Sequence, residues 1–161
     1  MIKVAIGQDS HRFEPEGSDK KLILGGITID GCPGLEGNSD ADVVLHALTN
    51  AVSGITCVNI LGGVSDRMCR EGITDSRAYL EAALGHMKKD TRILHVSISI
   101  EALRPKLAPH IDRMRTSLSR LLNVDPGSIG ITATTGEGLT EFGKGNGIYC
   151  TVILTADVPA E

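Results

Sequence analysis

Aromatic side chains and positive charge are both scarce in this sequence. It contains no tryptophan, two tyrosines and two phenylalanines, and its formal net charge is −4 at pH 7. A surface that binds nucleic acid normally carries a basic footprint, and single-strand binding depends on aromatic rings that stack on bases. The composition therefore argues against a nucleic-acid-binding protein and favours a small-molecule ligand.

The chain also lacks a cysteine motif. Its four cysteines, Cys32, Cys57, Cys69 and Cys150, have no Cys-x-x-Cys spacing. This argues against a zinc ribbon and against a thioredoxin-type redox motif. Because 41% of the residues are hydrophobic, the chain can form a core without a disulfide framework, and we expect buried free thiols.

Long hydrophobic runs are absent as well. No apolar run approaches the roughly 20 residues of a membrane span. The apolar stretch Met1 to Gly7 is too short for a signal peptide. We therefore expect a cytoplasmic protein, and the length of 161 residues predicts a single domain over residues 1–161.

Hydrophobic periodicity predicts both strands and helices, and hence an α+β (mixed α/β) fold. The clearest strand is 94–100, where apolar and polar residues alternate. Other predicted strands are 2–8, 22–24, 27–29, 129–134 and 148–154. Helices are predicted from Ser39 or Asp40 to Gly54, from Asp75 to Met87 and from Pro109 to Leu122, with loops over 56–74 and 136–147.

Three side chains in the first third of the chain form a candidate metal site. Asp9 and His11 follow the first predicted strand, and alternation along a strand directs both into one cleft. With His46 from a predicted helix, they offer two nitrogens and one carboxylate oxygen, which suit zinc with an open fourth position. Taken singly, Asp9 and His11 also fit an ordinary polar loop, and His46 also fits a core histidine.

The segment before His46 strengthens this interpretation. Residues 34–49 combine a glycine-rich polar loop with a helix start, and Asp42 precedes His46 by one helical turn. A carboxylate at that spacing can orient an imidazole, as the hydrogen-bond partners of metal-binding histidines do. Asp42 is therefore a candidate for orienting His46.

Five motifs run in one order through nearly the whole chain. They are Gly7-x-Asp9-x-His11, the block from Ser39 to Thr49, Asp75-Ser76-Arg77, Pro109-His110-Ile111 with Met114-Arg115, and Ala133-Thr134-Thr135-x-Glu137. In this order they resemble the 2-C-methyl-D-erythritol 2,4-cyclodiphosphate synthases.

The resemblance implies a phosphorus–oxygen lyase of non-mevalonate isoprenoid biosynthesis. In that reaction the 2-phosphate of 4-diphosphocytidyl-2-C-methyl-D-erythritol 2-phosphate attacks the β-phosphate, closes the 2,4-cyclodiphosphate and releases CMP. It further implies one sheet covered on one side by helices, in a homotrimer whose sheets face the three-fold axis and whose active sites lie between subunits.

The resemblance also assigns roles to individual residues. It implies zinc at Asp9, His11 and His46, and Mg²⁺ or Mn²⁺ held through the substrate diphosphate by Glu137. Asn38 and Thr135 occupy positions that stabilise the transition state. The implied substrate-binding residues are Asp9, Ser10, His11, Asn38, Ser39, Asn59, Ile60, Leu61, Ala102, Leu103, Arg104, Pro105, Lys106, Leu107, Ala108, Thr134, Thr135, Gly136, Glu137 and Lys144.

Several positions depart from the family pattern. Asn38 stands where members carry a histidine, Asn50 and Asn59 replace acids, and Lys144 and Asn146 replace the Arg and Glu of a Gly-Arg-Gly-Glu-Gly motif. Asparagine carries no positive charge, and lysine loses the bidentate geometry of arginine. If Asn38 removes one donor, the rate falls by about 10²-fold.

These departures leave two alternatives open. One is a non-catalytic trimeric relative that binds metal and nucleotide without turnover. The other is a zinc-dependent hydrolase of a nucleotide diphosphate, which would form a linear product.

Overall fold

Six strands form two sheets in the structure, a computed structural model that describes residues 1–160. The strands are β1 (Ile2–Arg12), β2 (Lys21–Leu24), β3 (Ile27–Pro33), β4 (Arg92–Glu101), β5 (Ile129–Thr134) and β6 (Gly147–Asp157). The main sheet has the order β1-β6-β4-β5, in which β4 and β5 are parallel and the other pairs antiparallel. The hairpin β2-β3 lies apart from this central sheet as a two-stranded sheet of its own, which the sequence did not predict.

Within residues 1–160, four helices complete the mixed α+β fold, which confirms the predicted class. They are α1 (Val43–Thr56), α2 (Gly63–Arg70), α3 (Ser76–Leu84) and α4 (Ile111–Leu122). Short 3₁₀ turns occur at Ala108–His110, Pro126–Ser128 and Gly136–Gly138. Of the helices in residues 1–160, none is both long enough and apolar enough to cross a bilayer.

The prediction of a loop over 56–74 is wrong because it misses α2. This helix begins beside two glycines, and Ser65 is its one buried residue. Its apolar stripe is short, because Val64 and Met68, one turn apart, pack against the core only partly buried, and this gives sequence periodicity little to detect.

Element boundaries also differ from the prediction at the candidate site. β1 extends to Arg12, so Asp9 and His11 lie within the strand, opposite Cys150 and Ile148 of β6. α1 begins at Val43 rather than at Ser39 or Asp40, because Asp42 is its N-cap.

The helices cover one face of the main sheet and form the core with it. Gly7 permits the close packing of α1 on β1, since a Cβ at this position would collide with the backbone of Ala47 and Ala51. Val96, Ile98 and Ile100 of β4 are buried on this side, as their alternation predicts. Gly7 therefore brings the helix that carries His46 close to the strand that carries Asp9.

The opposite face of the main sheet, here called the outer face, has exposed apolar residues. Ile2, Val4 and Ile6 of β1 are 58%, 65% and 65% exposed, and Ile153 of β6 is 45% exposed. Strand register places the predicted polar row His95, Ser97 and Ser99 on the same face. The outer face is therefore a mixed surface that this chain alone leaves open.

The cysteines are all unpaired in the structure. Cys150 is buried, as expected, but Cys57 is exposed at the C-terminal end of α1. The expectation of buried thiols is therefore wrong for Cys57, because the left-handed backbone that ends α1 carries this residue to the surface.

Candidate metal centre

Asp9, His11 and His46 converge on one point between β1 and α1. The Asp9 Oδ2 atom lies 2.8 Å from His11 Nε2 and 3.1 Å from His46 Nδ1. The two ring nitrogens are 3.2 Å apart. The sequence prediction that these three side chains meet is confirmed.

The triangle of ligand atoms fits a zinc-sized cation. Bonds of about 2.1 Å in a tetrahedron require ligand atoms about 3.4 Å apart, so the sides of the observed triangle need to lengthen by at most about 0.6 Å. The three side chains are the only group of histidine, cysteine and acidic residues within residues 1–160 that can hold a metal in this way. The donor set and its spacing therefore match a catalytic metal centre with one open position.

Mutual contacts shift the pKa values of two of these residues. Burial raises the pKa of Asp9, but hydrogen bonds with His11 and His46 outweigh it and hold that pKa at about 2. Burial lowers the pKa of His11, but its hydrogen bond with Asp9 outweighs this and raises the pKa above its usual value. The carboxylate is therefore ionised and available as a ligand at neutral pH.

Asp42 does not orient His46, although the sequence made it a candidate. Its carboxylate accepts hydrogen bonds from the backbone amides of Gly25, Gly26, Val44 and Leu45 at 2.7–3.1 Å. Both carboxylate oxygens therefore bind the backbone at the start of α1 and in the β2-β3 turn, and neither binds His46. Burial raises the pKa of Asp42 to about 6.

The partner of His46 is instead Ser76. The Nε2 atom of His46 lies 2.8 Å from Ser76 Oγ and 3.4 Å from Ser39 Oγ. The sequence motif includes Ser76, but nothing in its spacing indicates that contact. His11 in turn has a hydrogen bond with the backbone of Glu36. His46 is thus held by Ser76 at the nitrogen that does not face Asp9.

A cavity of about 280 Å³ opens beside the two histidines. One wall is the loop Gly37–Ser39, which brings the exposed Asn38 to the cavity. Ser65, Asp66 and Cys69 of α2 form another wall together with Tyr79. Sequence reasoning missed these four residues because α2 was not predicted and Tyr79 belongs to no recognised motif. The cavity can admit a polar ligand to the metal centre.

Other predicted substrate-binding residues near the amino-terminal half lie outside this cavity. Ser10 lies on the outer face, because it is one residue away from both Asp9 and His11 on a strand. Among the residues that follow α1, Ile60 is buried in the core and Asn59 is exposed. Neither these two nor Leu61 line the cavity.

The predicted phosphate-binding segment is remote from the metal centre within one chain. Asp9, Cys150, Ile100 and Ala133 occupy one row across β1, β6, β4 and β5. Three strand spacings therefore separate Asp9 from Ala133, which is about 14 Å. Thr134, Thr135 and Glu137 follow at the far edge of the sheet, so a single chain does not bring them to the histidines.

The far segment is nevertheless well defined. The hydroxyls of Thr134 and Thr135 lie 3.4 Å from the amides of Gly136 and Glu137. Gly136 has φ +76°, and a Cβ there would collide with Glu101. Backbone amides and hydroxyls in such a turn form a concavity suited to an anion.

The segment Ala102–Ala108 is anchored beside this turn. The Ala102 amide donates to Thr134 O at 3.0 Å, and Leu103 donates to Phe142 O at 3.1 Å. Arg104 pairs with Glu16 at 2.6 Å and lies 4.7 Å from the centre of the Phe13 ring. Arg104 is therefore engaged in internal contacts. The remaining predicted members of this segment are Pro105, Lys106, Leu107 and Ala108, of which Leu107 is buried.

Lys144 is likewise paired within the chain. Its Nζ lies 3.1 Å from Glu141 Oε1, and Asn146 donates to Glu141 Oε2 at 2.6 Å. These contacts lower the pKa of Glu141, with Asn146 the larger cause. The charge of Lys144 is thus partly neutralised by its own loop.

Comparison with known proteins gives a consistent family. The sequence profile of the YgbB family matches residues 2–157. A 2-C-methyl-D-erythritol 2,4-cyclodiphosphate synthase of Chlamydia trachomatis serovar L2b is 49% identical over 156 residues, which are 96% of this chain and 88% of that protein.

Solved structures agree with the sequence relatives. A 2-C-methyl-D-erythritol 2,4-cyclodiphosphate synthase in a CDP-bound form has a TM-score of 0.83 at 30% identity, over 96% of this chain and all of that one. The bifunctional IspDF of Campylobacter jejuni has a TM-score of 0.87 at 25% identity over 99% of this chain, which spans 43% of that protein. By its profile match and by its curated relatives, the chain belongs to the YgbB family of 2-C-methyl-D-erythritol 2,4-cyclodiphosphate synthases.

Proposed function

We propose that this chain converts 4-diphosphocytidyl-2-C-methyl-D-erythritol 2-phosphate to 2-C-methyl-D-erythritol 2,4-cyclodiphosphate and CMP. An oxygen of the 2-phosphate forms a bond to the β-phosphorus. The bond from the β-phosphorus to the bridging oxygen breaks, and CMP leaves with that oxygen and its electron pair. The observation that carries this proposal is the Asp9, His11 and His46 triangle in a chain 49% identical to a named synthase.

The charge of the reacting groups determines what the protein must supply. Two anionic phosphates repel each other, so catalysis depends on positioning and on nearby positive charge. Asp9, His11 and His46 would hold one divalent cation, with zinc favoured by the donor set. Such a cation, when bound, attracts phosphate oxygens and polarises the phosphorus–oxygen bond. Glu137 would hold a second ion, Mg²⁺ or Mn²⁺, together with the substrate diphosphate.

The protein's own residues hold the substrate around this centre. Asn38 donates its amide to the transferring phosphate from the cavity wall, and Ser39 lies beside it. The hydroxyl of Thr135 and the amides of Gly136 and Glu137 hold phosphate oxygens. Backbone groups of Ala102–Ala108 surround the cytosine. A cytidine nucleotide as ligand is supported by the related synthase structure in a CDP-bound form.

A complete site requires more than one copy of the chain. The metal centre lies on β1 and α1, whereas Thr135 and Glu137 lie beyond the opposite edge of the main sheet. The outer face exposes Val4, Ile6 and Ile153, an apolar surface suited to burial against other copies. A homotrimer with the outer faces around its axis joins the two half-sites between neighbouring subunits.

The non-catalytic relative is the second candidate, motivated by Asn38, Asn59 and Lys144. Named synthases among the curated relatives favour catalysis over this candidate. Asparagine still donates a hydrogen bond at position 38, so the expected effect is a slower enzyme.

Phosphorus NMR of the protein with substrate, zinc and magnesium separates the candidates. The proposal predicts cyclic diphosphate and CMP, a hydrolase predicts a linear phosphate product, and a non-catalytic relative leaves the substrate unchanged. His46→Ala should abolish turnover, while His86→Ala, at an exposed histidine after α3, should retain it.

A further inference from the structure

The two ring nitrogens of His46 have different partners. Nδ1 faces Asp9 Oδ2 and His11 Nε2, whereas Nε2 faces Ser76 Oγ at 2.8 Å. A neutral imidazole carries its hydrogen on one nitrogen and a lone pair on the other, and a metal binds the lone pair. For Nδ1 to bind metal, the hydrogen must therefore reside on Nε2 and point at Ser76.

Asp40 determines which way the Ser76 hydroxyl points. The Ser76 hydroxyl lies in a short hydrogen bond with Asp40 Oδ1, and the Ser76 amide donates to Asp40 Oδ2 at 3.0 Å. The Asp42 amide also donates to Asp40 Oδ1, at 3.1 Å. Since Asp40 is surrounded by donors, the single hydroxyl proton of Ser76 goes to Asp40. The Ser76 oxygen then has only lone pairs to offer His46 Nε2.

Ser39 is the competing partner of the same nitrogen. Its oxygen lies 3.4 Å from His46 Nε2, which is 0.6 Å farther than the oxygen of Ser76. Ser39 Oγ also accepts from the Ala41 amide at 3.0 Å. A hydrogen bond is weaker at 3.4 Å than at 2.8 Å, so Ser76 is the stronger partner of His46 Nε2.

The surrounding backbone holds this chain of hydrogen bonds in place. Ser76 is the first residue of α3 and is fully buried, while Asp40 is fixed through its amide to Thr74 O at 2.9 Å. The contacts thus connect the loop before α1, the start of α3 and the metal ligand on α1. Neither Ser76 nor Asp40 lines the cavity beside the two histidines.

We propose that Ser76 and Asp40 are positioning residues for His46, which keep its hydrogen on Nε2 and its Nδ1 lone pair toward the metal. This inference rests on the proposed function only in assigning a metal to Asp9, His11 and His46. Partners of this kind typically change metal affinity by about 10–100-fold when they are removed.

The first test is long-range proton–nitrogen NMR of the zinc-loaded protein with labelled histidine. The inference predicts zinc on Nδ1 of His46 and a slowly exchanging hydrogen on Nε2 in the wild type, and faster exchange of that hydrogen in Ser76→Ala, which removes its acceptor. Zinc on Nε2 in the wild type, or equal exchange in Ser76→Ala, would overturn it. This readout needs no substrate, so it stands apart from failure of the proposed reaction.

The second test is zinc affinity measured by competition with a chromophoric chelator. Ser76→Ala and Asp40→Asn should each weaken zinc binding by about 10–100-fold, and Ser76→Thr, which retains the hydroxyl, should recover most of it. Ser119→Ala is the matched control, because it removes a buried serine hydroxyl that bonds Val124 O at 2.8 Å in α4. Equal zinc affinity in Ser76→Ala, Asp40→Asn and the control would contradict the inference.

Discussion

At the scale of single residues, the centre is organised by one oxygen atom. Asp9 Oδ2 contacts both imidazoles, and its carboxylate stabilises the positive charge of His11 when metal is absent. Metal binding displaces hydrogen from the nitrogens that face Asp9, because a ligand nitrogen must present its lone pair. Zinc affinity should therefore fall as the pH is lowered.

The pKa shifts predict how pH affects the metal-free protein. Asp9, lowered from 3.8 to about 2, stabilises the fold above pH 3.8, and this contribution is lost as the pH falls toward 2. His11, raised above 6.5, stabilises the fold below pH 6.5, and its contribution is lost as the pH rises through the raised value. The Asp9–histidine contacts thus contribute most between about pH 4 and 6.5.

Urea unfolding of metal-free wild type and Asp9→Asn measures this contribution. The difference in the free energy of unfolding should be largest inside the window and should shrink on both sides. Titration of Asp42 is common to both proteins and cancels in the difference. A difference that does not change with pH would refute the assignment of charges.

At the scale of elements, Asp42 connects the start of α1 to the turn between β2 and β3. Four backbone amides depend on its two oxygens. An asparagine offers only one accepting oxygen, and its amide group would face a backbone donor. A buried donor left unsatisfied costs about 1–3 kcal/mol.

Asp42→Asn is therefore expected to lower the free energy of unfolding by about 1–3 kcal/mol at neutral pH. Chemical denaturation monitored by circular dichroism measures this change. Asp30→Asn, at an exposed position of β3, makes the same chemical change and should have little effect. Equal stability of the two variants would show that the cap is dispensable.

Local patterns explain which elements could be predicted. The spacing of Asp9 and His11 fixes their common face, and the strand at 129–134 has the predicted bounds. The sequence did not reveal the role of Asp42. An acid four residues before a histidine can orient the imidazole or cap the helix, and the spacing is the same in both cases. Ser76 lies 30 residues from His46, so their contact arises from the packing of α3 on α1, which no local pattern contains.

At the scale of the whole molecule, the proposed trimer accounts for both the exposed outer face and the separation of the proposed site residues within one chain. Val4 and Ile6 are exposed on β1 although their apolar side chains favour burial. The sequence alone indicates a polar row at His95, Ser97 and Ser99, and only strand register shows that Ile153 lies among them. Assembly of three copies would bury this face and bring Thr135 near a neighbour's metal centre.

Val4→Asp is expected to prevent assembly, because a carboxylate would have to be buried against other copies. Sedimentation velocity should show trimers for the wild type and monomers for the variant, with loss of cyclic product. Thr116→Asp adds the same charge to the exposed surface of α4 and should leave the trimer intact. A trimeric Val4→Asp protein would place the interface elsewhere.

Subunit complementation tests the proposed shared site most directly. His46→Ala and Glu137→Gln chains, each with its own affinity tag, are co-expressed, and assemblies that carry both tags are assayed for cyclic diphosphate by phosphorus NMR. Each variant alone should be inactive, whereas every mixed trimer has one intact site in three and should show about one third of the wild-type rate. No product from the mixed trimers, with an active wild type, would contradict a site shared between subunits.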